Sequence, residues 1–372
     1  MSERIKLKGI TWNHPRGLDC LIAASNEYAK QTDVDIEWKV RTLQEFADAS
    51  ISELAKKYDF IILDHPHVGQ VALNGCLLPL PDNADLANNS IGGSHESYIY
   101  NGISWAYAVD AACQVAVYRP DLKLPIPKQW KDFFASDARS YKSITPLKPV
   151  DAFDALLTLL ASLNETFPAA QGVFFDPQKT ASCLSLLRRL YQLSPPEAVD
   201  WNPIDVLDLL STTNDFAYSP CLFGYVNYIR PGFRDNTLSY LDLPTFDNSN
   251  IRRSILGGAG VAVSAQTSHP DDAIKFATWI SSEPIQSSIY LQNEGQPAHL
   301  GSWNKLKTDK LYHHFFNGVY NTMSNAWTRP RDEWFLGFVD DVCLIFPDFF
   351  RNNIECDTFV AHLNSLYLKH YK

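Results

Sequence analysis

Along the first sixty residues the hydrophobic positions change period in a regular order. "KLKGITW" (6–12) reads as a strand. "LDCLIAASNEYAKQT" (18–32) has helical spacing, which puts Leu18, Leu21, Ile22 and Tyr28 on one face. In "VDIEWKV" (34–40), Val34, Ile36, Trp38 and Val40 alternate with polar residues, as on a half-buried strand. A polar helical stretch over 43–58 follows, then "DFIILD" (59–64), whose unbroken apolar run predicts a strand buried on both faces. The order βαβαβ predicts a parallel sheet covered by helices. In such sheets ligands sit at the carboxyl ends of the strands. Trp12, Asn13 and His14 after the first strand, and Asp64, His65 and His67 after the third, should therefore emerge on one edge.

Near residue 105 the texture changes. Residues 102–122 carry two β-like runs around Asp110. A Pro-marked turn leads into an aromatic-rich helix over 123–136, and 150–215 reads as mostly helical. Residues 215–229 return to a strand-like run, and 254–265 is a strand interrupted by glycines. Residues 269–298 form two helices joined at Ser-Glu-Pro, and the last sixty residues are helical and rich in aromatics. No tandem repeat or low-complexity tract is present.

A chain of 372 residues suits two domains, and 45% hydrophobic with 20% charged residues is a globular composition. The net charge of −10 and pI near 5.4 exclude a general affinity for nucleic acid or anionic membrane. No apolar run reaches the roughly 18 residues of a membrane span, so membrane insertion is not expected. Nine Trp and seventeen Tyr suit a site that stacks rings on a ligand. Cys20, Cys76, Cys113, Cys183, Cys221, Cys343 and Cys356 are scattered, with no C-x-x-C pair. That pattern predicts free thiols in a reducing compartment and argues against a Cys-rich zinc site. "GGAG" (257–260) has the wrong spacing for a dinucleotide fingerprint, and no cofactor is expected.

Asp64, His65 and His67 admit three readings: a metal-ligating set, a helix cap by Asp64, or the polar wall of a ligand cleft. The H-P-H spacing disfavours metal, because successive side chains diverge. Trp12 and His14 are cleft candidates, and Arg16 could grip a carboxylate. Asp110 could accept hydrogen bonds from hydroxyls. Cys113 reads as a small buried residue or as a nucleophile near His14 or His67. "YSPCLFGYVNY" offers Tyr218, Phe223, Tyr225 and Asn227, half of which alternation assigns to the core. Gly258 would let backbone approach a ligand closely, and Trp327 and Arg329 could reach the cleft from the C-terminal part.

"ILGGAGVAVSAQTSHPDDAIKFATWISSEPIQ" followed by "NEGQPA" resembles the extracellular solute-binding proteins of family 1, the carbohydrate-type receptors of ABC transporters. "GITWNHPRG", "YDFIILDHPHVGQVALNGCLLPL" and "YAVDAACQVAVYRPDL" are similar to that family's first lobe and hinge crossing. The resemblance implies an α/β fold of the type II periplasmic-binding-protein kind, with two lobes around a cleft. Lobe one would be 1–110 plus 256–310, and lobe two 111–255 plus 311–372. It implies a monomer that captures a small polar, sugar-like ligand, with an ABC permease as partner if the protein is exported. The ligand-binding set expected from the residues and the resemblance together is Trp12, His14, Asp64, His65, His67, Asp110, Tyr218, Tyr225 and Gly258. "MSERIKLKGITW" shows no basic segment followed by an apolar one. The expected location is therefore periplasmic if a leader has been removed, and cytoplasmic if the chain is complete as it stands. The alternative is a cytosolic enzyme on the same fold, with acid–base or thiol chemistry from Asp64, His67 and Cys113.

Overall fold

The computed structural model describes residues 4–48, 50–135, 142–247 and 252–371. Strands β1 (Ile5–Trp12), β2 (Val34–Arg41) and β3 (Phe60–Leu63) run parallel, with β1 between the other two. The first crossover is the helix Pro15–Gln31. Pro15 sits in its first turn, where a missing N–H leaves nothing unpaired, and His14 Nδ1 accepts from the Arg16 amide at 3.1 Å. Cys20, Leu21, Ala24 and Tyr28 form its buried face. The alternation expected of β2 holds at Val34 and Trp38 and fails at Val40, which is exposed because β2 is the sheet's edge strand. The helical stretch over 43–58 is two short helices, Leu43–Asp48 and Ile51–Ala55, the second capped by Ser50.

The remaining strands are β4 (Ile99–Tyr100), β5 (Ile103–Ser104), β6 (Tyr107–Tyr118), β7 (Lys142–Ser143), β8 (Phe216–Phe223), β9 (Ser239–Leu241) and β10 (Leu256–Val263). β4 and β5 form a separate hairpin. The others join one sheet in the order β2-β1-β3-β10-β6-β8-β7, with β9 also paired to β6. Two β-like runs were expected around Asp110. Instead β6 is one strand of twelve residues, buried at every position but the last. Its first half, Tyr107–Cys113, pairs with β10, and its second half, Gln114–Tyr118, pairs with β8 and β9. The strand thus belongs to both halves of the molecule, and Asp110 sits inside it rather than ending it.

Helices cover each half. On one side, Phe276 of the helix Pro270–Ser281 packs on Phe60 of β3 and Tyr28 of the first helix, at centroid distances of 5.2 Å each. On the other, the helices Pro149–Ser162, Pro177–Leu193, Glu333–Arg351 and Cys356–His370 pack together around Phe153, Phe338, Phe346 and Phe359. The result is two lobes flanking a cleft. Two buried glutamines tie the junction. Gln286, inside a π-helical turn, donates to Val109 O at 2.7 Å and accepts from the Ala298 and His299 amides. Gln296 donates to Ala111 O at 2.8 Å and accepts from Val226 N at 2.9 Å. Each satisfies backbone groups that the irregular strand pairing leaves over.

Gly258 marks the tightest point of the junction. Its φ is +119°, a region closed to side-chain-bearing residues, and a Cβ there would lie 2.3 Å from Asp110 O. Gly258→Ala should lower stability by about 2–4 kcal/mol. Urea denaturation of the two proteins checks this; an unchanged midpoint would mean that the backbone relaxes at no cost.

Candidate functional site

A cavity of about 170 Å³ lies where the lobes meet. An engineered apolar cavity of about 150 Å³ admits a benzene ring, so this space suits one ring of a ligand. It opens beside a groove of about 480 Å³ that shares Phe46, Asp64, Lys148, Val150, Asp154 and Arg329 with it. The parallel strands deliver the first wall: Trp12 ends β1, Arg16 opens the helix after it, and Asp64 follows β3. Phe46 comes from the short helix after β2. β6 and β10 supply the floor, with Asp110, Gly257 and Gly258. The opposite wall is Phe223 at the end of β8, Tyr225, and the first two turns of the helix Pro149–Ser162 with Asp151 and Asp154. Arg329 enters from the segment that precedes the C-terminal helices.

Three buried carboxylates (Asp110, Asp151 and Asp154), the half-buried Asp64 and two buried guanidiniums meet here, and their pairing sets the electrostatics. Arg16 holds Asp110 with two parallel hydrogen bonds, one of them Nε to Oδ2 at 2.7 Å. Its third donor reaches Gly224 O at 3.0 Å, and its guanidinium lies 4.4 Å from the Tyr225 ring centroid. Burial works against the charge on Arg16, but Asp110 outweighs it and the guanidinium stays protonated. Arg329 donates to Asp64 at 2.5 Å and lies 3.7 Å from Asp154. Burial pushes the Asp64 carboxyl up, yet Arg329 and His65 overcome this and hold it well below the usual range. Asp154 has the weaker hold on Arg329. Burial, with the charge of Asp64 added, lifts its pKa to about 6. Asp151 is also raised well above its ordinary value, by burial first and then by Asp154.

Of the residues expected from the sequence, Trp12, Asp64, Asp110, Tyr225 and Gly258 line the cavity, and His67 lines the neighbouring groove. Three do not reach either space. His14 is turned inward as a helix cap, edge-on to Tyr225 at 4.9 Å, and burial followed by the charge of Arg16 lowers its pKa to about 3. His65 is buried with its Nδ1 3.0 Å from Asp64. Tyr218 faces the core of the second half, beside Phe133. Asn227 is held by Glu294, and Trp327 packs on Phe167 outside the cavity. The catalytic alternative is not assembled. Cys113 lies in the hydrophobic core and lines neither the cavity nor the groove, and burial pushes its thiol up, away from thiolate. Asp64 is locked to Arg329 and caps the turn His65–His67. Among the described residues no group of three or more His, Cys, Asp or Glu is placed to hold a metal ion.

The residues that sequence reasoning missed are Phe46, Lys148, Asp151 and Asp154. "KPVDAFDALLTLLASL" did carry a signal: Asp151 and Asp154 are spaced i, i+3 on an otherwise apolar helix, so both project from one face.

Two outcomes test these electrostatics. Arg16→Met strands Asp110 and should cost about 3–5 kcal/mol, most of it recovered when Asp110→Asn is added. A double variant as unstable as the single one would mean that lost packing, not the stranded charge, is responsible. Asp154 has a folded pKa near 6, above its ordinary 3.8. A raised carboxyl takes up protons on folding, so its unfavourable contribution is absent at low pH and grows as pH rises from about 4 to about 6. Asp154→Asn should therefore gain about 1–3 kcal/mol on the parent between pH 4 and pH 8 in ligand-free melts. A pH-independent difference would contradict the burial of that charge.

The chain matches the family model described as "bacterial extracellular solute-binding protein" over residues 23–327. None of the curated proteins compared with it matches its sequence. Solved structures share the fold at low identity. An ABC transporter solute-binding protein from Agrobacterium radiobacter K84, in complex with ribitol, is 18% identical with a TM-score of 0.81 over 98% of each chain. One from Thermotoga lettingae TMO, bound with α-D-tagatose, is 15% identical with a TM-score of 0.82, covering 98% of this chain and 99% of that one. Maltose-bound MalE3 of T. maritima is 17% identical with a TM-score of 0.82 at the same coverage.

Proposed function

The chain belongs to the bacterial extracellular solute-binding proteins, and from that premise we propose that it captures a small sugar-like solute between its lobes for an ABC importer. The observation that carries this reading is the composition of the inter-lobe cavity. Trp12, Phe46, Phe223 and Tyr225 present aromatic surface, and carboxylates stand between them as acceptors for hydroxyl groups. Flat apolar walls with polar groups at the edges suit a pyranose ring or a short polyol, whose faces are apolar and whose rim is hydroxylated. The similar structures hold ribitol, α-D-tagatose and maltose.

In this reading lobe one is 1–110 plus 256–310 and lobe two is 111–255 plus 311–372. The ligand-binding set keeps Trp12, Asp64, Asp110, Tyr225 and Gly258, with His67 at the entrance, and gains Asp151, Asp154 and Arg329. Arg329 joins Asp64 of lobe one to Asp154 of lobe two, so it is placed to stabilise the lobes in contact. The protein acts outside the cytoplasm as a monomer, handing its ligand to a membrane permease. No helix among the described residues is long and apolar enough to cross a membrane.

A thermal-shift screen against polyols, monosaccharides and short oligosaccharides tests this. A true ligand at one hundred times its Kd adds about 2.7 kcal/mol and raises Tm by several degrees. It should be recovered chemically unchanged by mass spectrometry, and Trp12→Ala should weaken it at least tenfold. Absence of any stabilising member, or consumption of the one that binds, would defeat the proposal.

A further inference from the structure

The charges around the cavity do not balance. Four carboxylates face two guanidiniums and one ammonium. Arg16 is matched by Asp110 and Arg329 by Asp64, each within hydrogen-bond distance. Asp151 and Asp154 are left with Lys148, at the N-cap of their helix, and with the looser contact from Arg329 at 3.7 Å.

Asp151 is the exceptional member. It is 6% exposed and lines the cavity. Among the described residues its carboxylate has no hydrogen bond and no ion pair, and it does not cap the helix, whose N-terminus carries no side-chain cap bond. Its place in the first turn puts it near the positive end of the helix dipole, which eases its charge without giving it a partner. The other charges near it are Asp154, Asp205 and Lys148, two of them of its own sign. Burial and these neighbours raise its pKa well above the ordinary value, so without a ligand the carboxylate form is disfavoured. A buried acid without a partner in the chain opposes stability, and such groups gather at functional sites, where a ligand can supply the partner.

Resting on the sugar-like reading above, we propose that the ligand carries one protonated amine, an aminated sugar or polyol, and that its nitrogen seats against Asp151 in the inter-lobe cavity. The geometry gives each part a place. The aromatic walls take the ring or chain, Asp64 and Asp110 stay engaged by their arginines, and the ammonium completes the unmatched charge between Asp151 and Asp154. A neutral sugar could accept a hydrogen bond from Asp151 only in its protonated form, and it would leave the carboxylate form without a partner. An anionic sugar acid would add to it.

Calorimetric titration tests the inference with matched pairs: sorbitol against 1-amino-1-deoxysorbitol, glucose against glucosamine, and short oligosaccharides against their amino forms, at about pH 6.5 where the amines are protonated. In the unaltered protein the amine-bearing member of at least one pair should bind tenfold or more tightly than its hydroxyl partner. Asp151→Asn and Asp151→Ser, each confirmed as folded by its thermal transition, should abolish that preference, bringing the affinities of the two members of a pair to within about threefold of each other. Equal binding of both members, or preference for the neutral one, overturns the inference and leaves the sugar-like reading intact. Preference that survives both Asp151 variants overturns the assignment to Asp151. No binding by any pair overturns both readings together.

Discussion

The Arg16–Asp110 pair is the interaction on which the architecture turns. Asp110 sits in the middle of a buried strand, where an unpaired carboxylate would be costly enough to exclude that strand from the core. Arg16 meets it from the first turn of the helix after β1, so neutralising the charge also fastens the carboxyl edge of the parallel sheet to the strand that both lobes share. The third guanidinium donor reaches Gly224, just past β8, which draws the second half of the sheet to the same point. Such a pair adds little net stability, since desolvation consumes most of the attraction. It fixes where things lie. Three elements far apart in sequence must converge on one guanidinium, and the cavity is the space that remains around it.

Arg329 repeats this logic with a looser fit. Its bond to Asp64 is short and its contact with Asp154 is long, so one carboxylate is held ionised while the other is left with a pKa near 6. The contrast between two acids on one guanidinium separates a structural carboxylate from one that is available. The cavity is thus made of paired charges that set its shape and unpaired ones that leave it unfinished. Keeping the latter opposes stability, the usual relation between binding sites and the folds that carry them.

Much of the scaffold was legible in the sequence because it depends on local periodicity. The alternation of strand and helix through residue 64 placed Trp12 and Asp64 on one edge, and both line the cavity. What failed depended on distant partners. Nothing near Asp110 shows that Arg16 will neutralise it, so the strand read as broken. The histidines misled because imidazole serves equally as a cap, a core residue or a ligand contact. His14 took the first role, His65 the second, and only His67 reached the groove. Strand alternation alone could not tell which of Tyr218 and Phe223 faced the cavity, and it proved to be Phe223. Asp151 and Asp154 escaped notice because an apolar helix with two acids in its first turns reads as a core helix with favourable dipole charges.

The position of β10 constrains how the molecule can come into being. It lies between β3 and β6, both of which precede it by a long stretch of chain. While the protein is being synthesised, β3 and β6 each present an unpaired edge that nothing local can close. Residues 256–263 must emerge before these edges are joined, and the helices Pro149–Ser162 and Pro177–Leu193 are made in the interval. The sheet around β1 and β3 is therefore completed only after those two helices have been produced, although its own first strands come earlier in the chain. Any truncation that ends before residue 256 therefore leaves the parallel strands with an open edge, however much of the rest of the sheet it retains.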